Sequence, residues 1–121
     1  MIGTFDVLVI DCPEPGPLAD FYAALLGWRK VSDNPQWAEI MSGPTDRPIL
    51  AFQRVEDFAA PQWPGQEHPQ QFHIDVKVDD LDVGERAALA LGARATGSTT
   101  DTFRVYLDPA GHPFCLISPT D

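Results

Sequence analysis

PLADFYAALLG, residues 17–27, is the clearest helical signal in the chain. Its apolar residues Leu18, Phe21, Tyr22, Leu25 and Leu26 recur at i, i+3, i+4, i+7 and i+8, the stripe of an amphipathic helix. Pro17 suits the first helical turn and Gly27 the position just past the end, so a helix is expected near residues 17–26. Upstream, residues 5–10 are β-branched and apolar and stop at a Pro-rich run from Pro13 to Pro17, which reads as a strand. Downstream, residues 28–31, 37–41 and 49–55 read as three short strands. Asp33-Asn34-Pro35 and Gly43-Pro44-Thr45-Asp46 separate them as turns.

The same order recurs further along. Residues 72–78 are strand-like, and Asp79 or Asp80 can cap a helix near residues 80–91 that carries Leu81, Ala88 and Leu91 and stops at Gly92. Residues 94–96, 103–107 and 113–117 follow as strands, with Asp108-Pro109-Ala110-Gly111 as a turn. A slide of 65 residues lays Leu25-Leu26-Gly27 on Ala90-Leu91-Gly92 and Val9 on Ile74. A duplicated strand–helix–three-strand unit predicts an α+β fold, because strands flanking each helix form a sheet that the helix covers. The expectation is two βαβββ modules forming a cupped mixed sheet within one domain, 1–121. Module one takes residues 5–55, a loop 56–70, and module two 71–118. Pro61, Pro64, Pro69 and Gly65 exclude helix and interior strand from the loop. Phe58 and Trp63 in such a segment suggest a lid over an apolar ligand, although in most proteins they would be core pieces.

Composition narrows the partners. Of 121 residues 44% are hydrophobic, ordinary for a globular chain and too many for a disordered one. Eight Lys and Arg against 18 Asp and Glu give a net charge of −10, which repels nucleic acid and anionic membrane surfaces. No window approaches the ~20 apolar residues of a membrane span and no basic-then-apolar leader opens the chain, so a cytoplasmic, unprocessed protein is expected. Cys12 and Cys115 form no CxxC or Cys/His cluster in sequence. They read as buried thiols in a reducing compartment.

Six phrases in this order resemble the vicinal-oxygen-chelate superfamily, the glyoxalase, bleomycin-resistance and dioxygenase group, along nearly the whole chain. They are Leu18-Ala19-Asp20-Phe21-Tyr22, Leu25-Leu26-Gly27-Trp28, His73-Ile74-Asp75-Val76, Val78-Asp79-Asp80-Leu81, Leu91-Gly92-Ala93 and the turn Asp108 to Pro113. Ala51-Phe52-Gln53-Arg54 and His112-Pro113-Phe114-Cys115 are similar to the small bacterial glyoxalase-like domains within it. The resemblance implies a cleft shared by the modules and, in metal-dependent members, four ligands from the first and fourth strands of each half. Carried over, His73 matches one. The others fall at Val7 (or Leu8 if the internal repeat is followed), at Ala51 and at Cys115, so the resemblance implies no bound metal here. A divalent ion on another set, such as Asp11, His73 and Asp75, is the alternative.

Side chains alternate across a strand, so placing His73 toward the cleft brings Asp75 and Lys77 with it. The same parity aims Val7, Val9, Asp11, Ile49, Ala51, Gln53, Cys115 and Ile117 there: an apolar floor with a few polar groups, as in small-molecule pockets. Each polar residue also has a bland reading. A lone His is often structural, Asp75 and Lys77 read first as a surface pair worth little, Gln53 can end an edge strand, and Asp11 can cap a turn before Cys12-Pro13. His68 and His112 read as loop and turn residues. The candidate ligand-binding set is therefore His73, Gln53, Ala51, Cys115, Asp11, Asp75, Trp63 and Phe58, with His73 as catalyst if the protein is an enzyme. Three functions compete. The first is a resistance-type binder of a small organic molecule without metal. The second is a lyase, isomerase or dioxygenase-type enzyme using His73 as general base with Gln53 steadying an oxyanion. The third is an accessory domain whose cleft is vestigial. By resemblance a homodimer is expected.

Overall fold

A computed structural model describes residues 5–43 and 50–120; Pro44, Thr45, Asp46 and Ile49, read above as turn and strand, lie outside the described residues. The chain divides into two units, Met1–Phe58 and Ala59–Asp121. The first contains β1 (Leu8–Cys12), α1 (Pro15–Leu26), β2 (Arg29–Asn34), β3 (Trp37–Met41) and β4 (Leu50–Arg54). Its sheet has the order β1-β4-β3-β2, with β1 parallel to β4 and the other pairs antiparallel. The second repeats it with β5 (Ile74–Lys77), α2 (Leu81–Ala90), β6 (Arg94–Thr99), β7 (Phe103–Leu107) and β8 (Pro113–Ile117), ordered β5-β8-β7-β6. In both, the first strand lies parallel to the last, so each sheet is mixed and each unit is βαβββ.

Local chemistry sets the element ends. α1 begins at Pro15, two residues earlier than the sequence suggests, because prolines are tolerated where the first turn's N–H groups have no helical partner. It ends at Gly27, whose φ of 69° is left-handed, and Trp28 N–H then donates to Ala23 O at 2.9 Å. Of the two candidate caps of α2, Asp80 is the one used: its Oδ1 accepts from Val83 N–H at 3.0 Å.

Four strands differ from expectation; β5 spans Ile74–Lys77 rather than 72–78, which leaves His73 just before it. β1 spans Leu8–Cys12 rather than 5–10, because the ladder with β4 runs from Leu8 opposite Leu50 to Cys12 opposite Arg54 and Pro13 ends it. β2 continues through Asn34, since the reversal is confined to Pro35 and Gln36, where Gln36 N–H donates to Asn34 Oδ1 at 2.9 Å. β6 extends to Thr99 across an irregularity between Ala95 and Thr99 that contains Gly97, at φ 85°.

Each unit has its own core, built differently. In the first, Tyr22 of α1 stacks on Phe52 of β4 (centroids 5.8 Å, 17°) and Phe21 meets Tyr22 edge-on, with Leu18, Ala19, Ile10 and Ile40 buried around them. In the second the aromatic mass sits on the sheet instead. Tyr106 of β7 stacks on Phe114 of β8 (5.6 Å, 27°), and α2 presents small residues, fully buried Ala88 and Gly84. A Cβ on Gly84 would stand 3.2 Å from Val78 Cγ1, so a larger residue there would press on Val78. Among the described residues no helix is long and apolar enough to cross a membrane.

Candidate functional site

Strand alternation assigns the faces. Phe52 packs under Tyr22, so it and its register partner Ile10 face α1, which turns Val9, Asp11, Ala51 and Gln53 to the opposite face. There Val9 pairs with Ala51 and Asp11 with Gln53, and β3 adds Glu39 opposite Ala51 and Trp37 opposite Gln53. Ala51 is fully buried, while Asp11 and Gln53 are exposed. Glu39 and Trp37 escaped the sequence reading, although their signal was present: residues 37–40 alternate half-buried and buried, as their polarity pattern suggests. Alternation also selects Val7, not Leu8, as the residue sharing this face. A uniform 65-residue slide is odd and would reverse it, so the first strands of the two units correspond with an even offset.

In the second unit Tyr106 and Phe114 lie on the α2 side, since Tyr106 Oη donates to Glu85 of α2 at 2.9 Å. Ile74 and Val76 join them, and Asp75, Lys77, Cys115, Ile117 and Val105 occupy the other face. Asp75 and Val105 flank Cys115 in register. His73, just before β5, brings Nε2 to 3.1 Å from Asp75 Oδ1, with the two side chains 40% and 50% exposed. The imidazole nitrogen, the carboxylate oxygen and the Cys115 sulfur all lie within 4.8 Å of one another. Asp75 thus does more than form a surface pair with Lys77: its carboxylate lies 3.1 Å from the imidazole and beside the Cys115 sulfur.

Burial pushes the Cys115 thiol up to about 11 from an ordinary 9.0, and the negative charge and hydrogen bond of Asp75 add to the rise. The folded protein therefore favours the neutral thiol. That contribution to stability is complete below pH 9.0 and is lost as the pH climbs through about 11. Alkylation by iodoacetamide, followed by mass spectrometry on native protein, should leave Cys115 nearly unmodified at pH 7 and accelerate toward pH 11. Rapid labelling at pH 7 would mean that the thiol is activated rather than suppressed. Cys12, also buried, directs its thiol to Gln53 O at 3.6 Å.

The loop between the modules has structure of its own. Gln62 N–H donates to His68 O, and Gln62 pairs with Pro69. Trp63 is half-buried in the second unit, Phe58 is half-buried at the end of the first, and His68 is exposed. The loop's start rests on the turn after β7, where a Cβ on Gly111 would come within 2.8 Å of the Ala60 methyl. That turn is held by Asp108, which is fully buried and accepts from Ala110 N–H, His112 N–H and His112 Nδ1. His112 is accordingly a structural turn residue.

A concavity in this unit, about 240 Å³, lies by the irregular stretch of β6 and is lined by Ser98, Thr99, Arg104, Tyr106 and Glu85. Its polar groups are bonded to one another: Arg104 bridges Asp82 and Glu85, and Tyr106, pushed up to about 12 by burial and by Glu85, bonds the same carboxylate. It has little left to offer a ligand.

The four positions implied by resemblance for a chelated metal hold Val7, Ala51, His73 and Cys115. Two are hydrocarbon and one is a protonated thiol, so this set does not fit a hard divalent ion.

A family model described as the glyoxalase-like domain matches residues 7–117. No curated protein matches the chain in sequence. Among solved structures, the fosfomycin resistance protein FosX of Mesorhizobium loti is 16% identical, with 98% of this chain and 92% of that one covered and a TM-score of 0.67. A glyoxalase/bleomycin resistance protein/dioxygenase family enzyme of Burkholderia phytofirmans is 15% identical over 93% and 96%, with a TM-score of 0.66. Lactoylglutathione lyase of Agrobacterium tumefaciens is 17% identical over 97% and 94%, with a TM-score of 0.60. At such identities the likeness is one of fold.

Proposed function

We propose, from the premise that the chain belongs to the glyoxalase-like domain family, that it binds a small organic molecule directly through side chains, without the metal chelate of its metal-dependent relatives. The observation that carries this reading is the trio His73, Asp75 and Cys115 beside the apolar Val105 and Ile117. An imidazole and a carboxylate offer directional hydrogen bonds, and the neighbouring hydrocarbon offers a surface for the rest of a ligand. The net charge of −10 favours a neutral or cationic ligand over an anion. Trp63, in the same unit, supplies an apolar cover and a reporter.

The experiment is a fluorescence screen of neutral and cationic aromatic compounds against chelator-treated protein. Ligands should change the tryptophan emission. Trp63→Ala should weaken binding by about 2 kcal/mol or more, and His73→Ala by about 0.5–1.5 kcal/mol for a lost hydrogen bond. Ligands whose affinity ignores both substitutions would place the function elsewhere.

One distance favours a second reading. His73 lies 3.1 Å from Asp75, an arrangement that orients an imidazole as a general base toward a carbon acid. The neighbours include both a fosfomycin resistance protein and a lactoylglutathione lyase. His73→Ala separates the readings: a binder loses affinity in part, whereas an enzyme loses turnover altogether.

A further inference from the structure

We infer that His73, Asp75 and Cys115 together form a site for a thiophilic divalent cation of the zinc, cobalt or cadmium type, contained within the second unit. Imidazole nitrogen, carboxylate oxygen and cysteine sulfur are the donor types of zinc sites, and three of them leave a fourth, open position. Donors around a tetrahedral ion, at ~2.0–2.3 Å each, stand roughly 3.3–3.8 Å apart. The three atoms here lie within 4.8 Å of one another and His73 and Asp75 are already at 3.1 Å, so side-chain rotations close the remaining gap. Both of those side chains are 40–50% exposed and have room to rotate, and Cys115 is fixed on β8 with Asp75 opposite it in register. Without an ion the three donor atoms already converge, His73 Nε2 at 3.1 Å from Asp75 Oδ1 and the Cys115 sulfur within 4.8 Å of both. A cation entering there displaces the thiol proton and holds the same three atoms together.

This set is not the one implied by resemblance. That one draws on both modules, has no member at Asp75, and places a hard carboxylate where Cys115 stands. It differs equally from the sequence-based expectation of no bound metal, which rested on Val7, Ala51 and Cys115 at three ligand positions, and from the alternative set Asp11, His73 and Asp75. The proposal stands apart from organic-ligand binding, which is tested in the presence of chelator, so either can fail alone.

The test titrates cobalt chloride into chelator-stripped, reduced protein. The expected result is one cobalt per chain with a near-ultraviolet sulfur-to-cobalt charge-transfer band, displaced by equimolar zinc and not by excess magnesium. Cys115→Ser should abolish the band and Cys12→Ser should retain it. Asp75→Asn and His73→Ala should each weaken cobalt binding at least tenfold; both side chains are exposed, so these variants test the site even if Cys115→Ser folds poorly. A band that survives Cys115→Ser, cobalt binding insensitive to Asp75→Asn, or no binding at all would overturn the assignment.

Discussion

Phe52→Ala should cost about 3–5 kcal/mol of stability, a large share of the roughly 5–15 kcal/mol that a domain of this size holds. Phe52 is completely buried on β4, which lies between β1 and β3, so no sheet edge is available to absorb a shift. Removing its ring leaves Tyr22 above a cavity and takes one neighbour from Ile10, its register partner. Phe52→Leu keeps most of the volume and should cost only about 1–1.5 kcal/mol. Urea unfolding followed by circular dichroism reads both values. A loss below about 1 kcal/mol for the alanine variant would mean that the Tyr22–Phe52 stack is not the centre of the first core.

Asp108→Ala should destabilise by about 3 kcal/mol, although it removes no apolar packing. Its carboxylate is fully buried and accepts three donors: Ala110 N–H at 2.9 Å, His112 N–H at 2.9 Å and His112 Nδ1 at 2.8 Å. Alanine leaves two part-buried backbone donors unpaired, at up to roughly 1–3 kcal/mol of desolvation each. Asp108→Asn retains one acceptor oxygen and should recover about half of the loss. His112→Ala should cost less than either, because its side chain is partly exposed and leaves the backbone bonds in place. Thermal unfolding midpoints rank the three variants; an innocuous Asp108→Ala would show that the turn is held by its backbone alone.

Much of the fold was legible in the chain. The stripe from Leu18 to Leu26, ended by Gly27, is a local signal that tertiary context had no reason to override, and it recurs in weaker form before Gly92. The least legible boundaries were those set by pairing. β1 is carried to Cys12 by its ladder with β4, and no property of residues 11 and 12 alone announces that. Parity fared better than boundaries: fixing His73 was enough to place Asp75 and Cys115 on one face. Parity does not measure distance, however, and Asp75 looked like an ordinary surface carboxylate until its neighbour across β8 was known.

The sequence by itself determined the repeated βαβββ order, the helix stops and the alternation of faces, because each depends on residues close together in the chain and on the fixed periods of helix and strand. Tertiary structure alone decided which alternating residues meet. Asp75 and Cys115 are 40 residues apart and become neighbours only because β5 lies parallel to β8 in one particular register. The same long-range pairing buries Cys115 and sets its thiol against Asp75 and His73. A contact of that kind depends on strand register, which is fixed when both sheet faces have been packed.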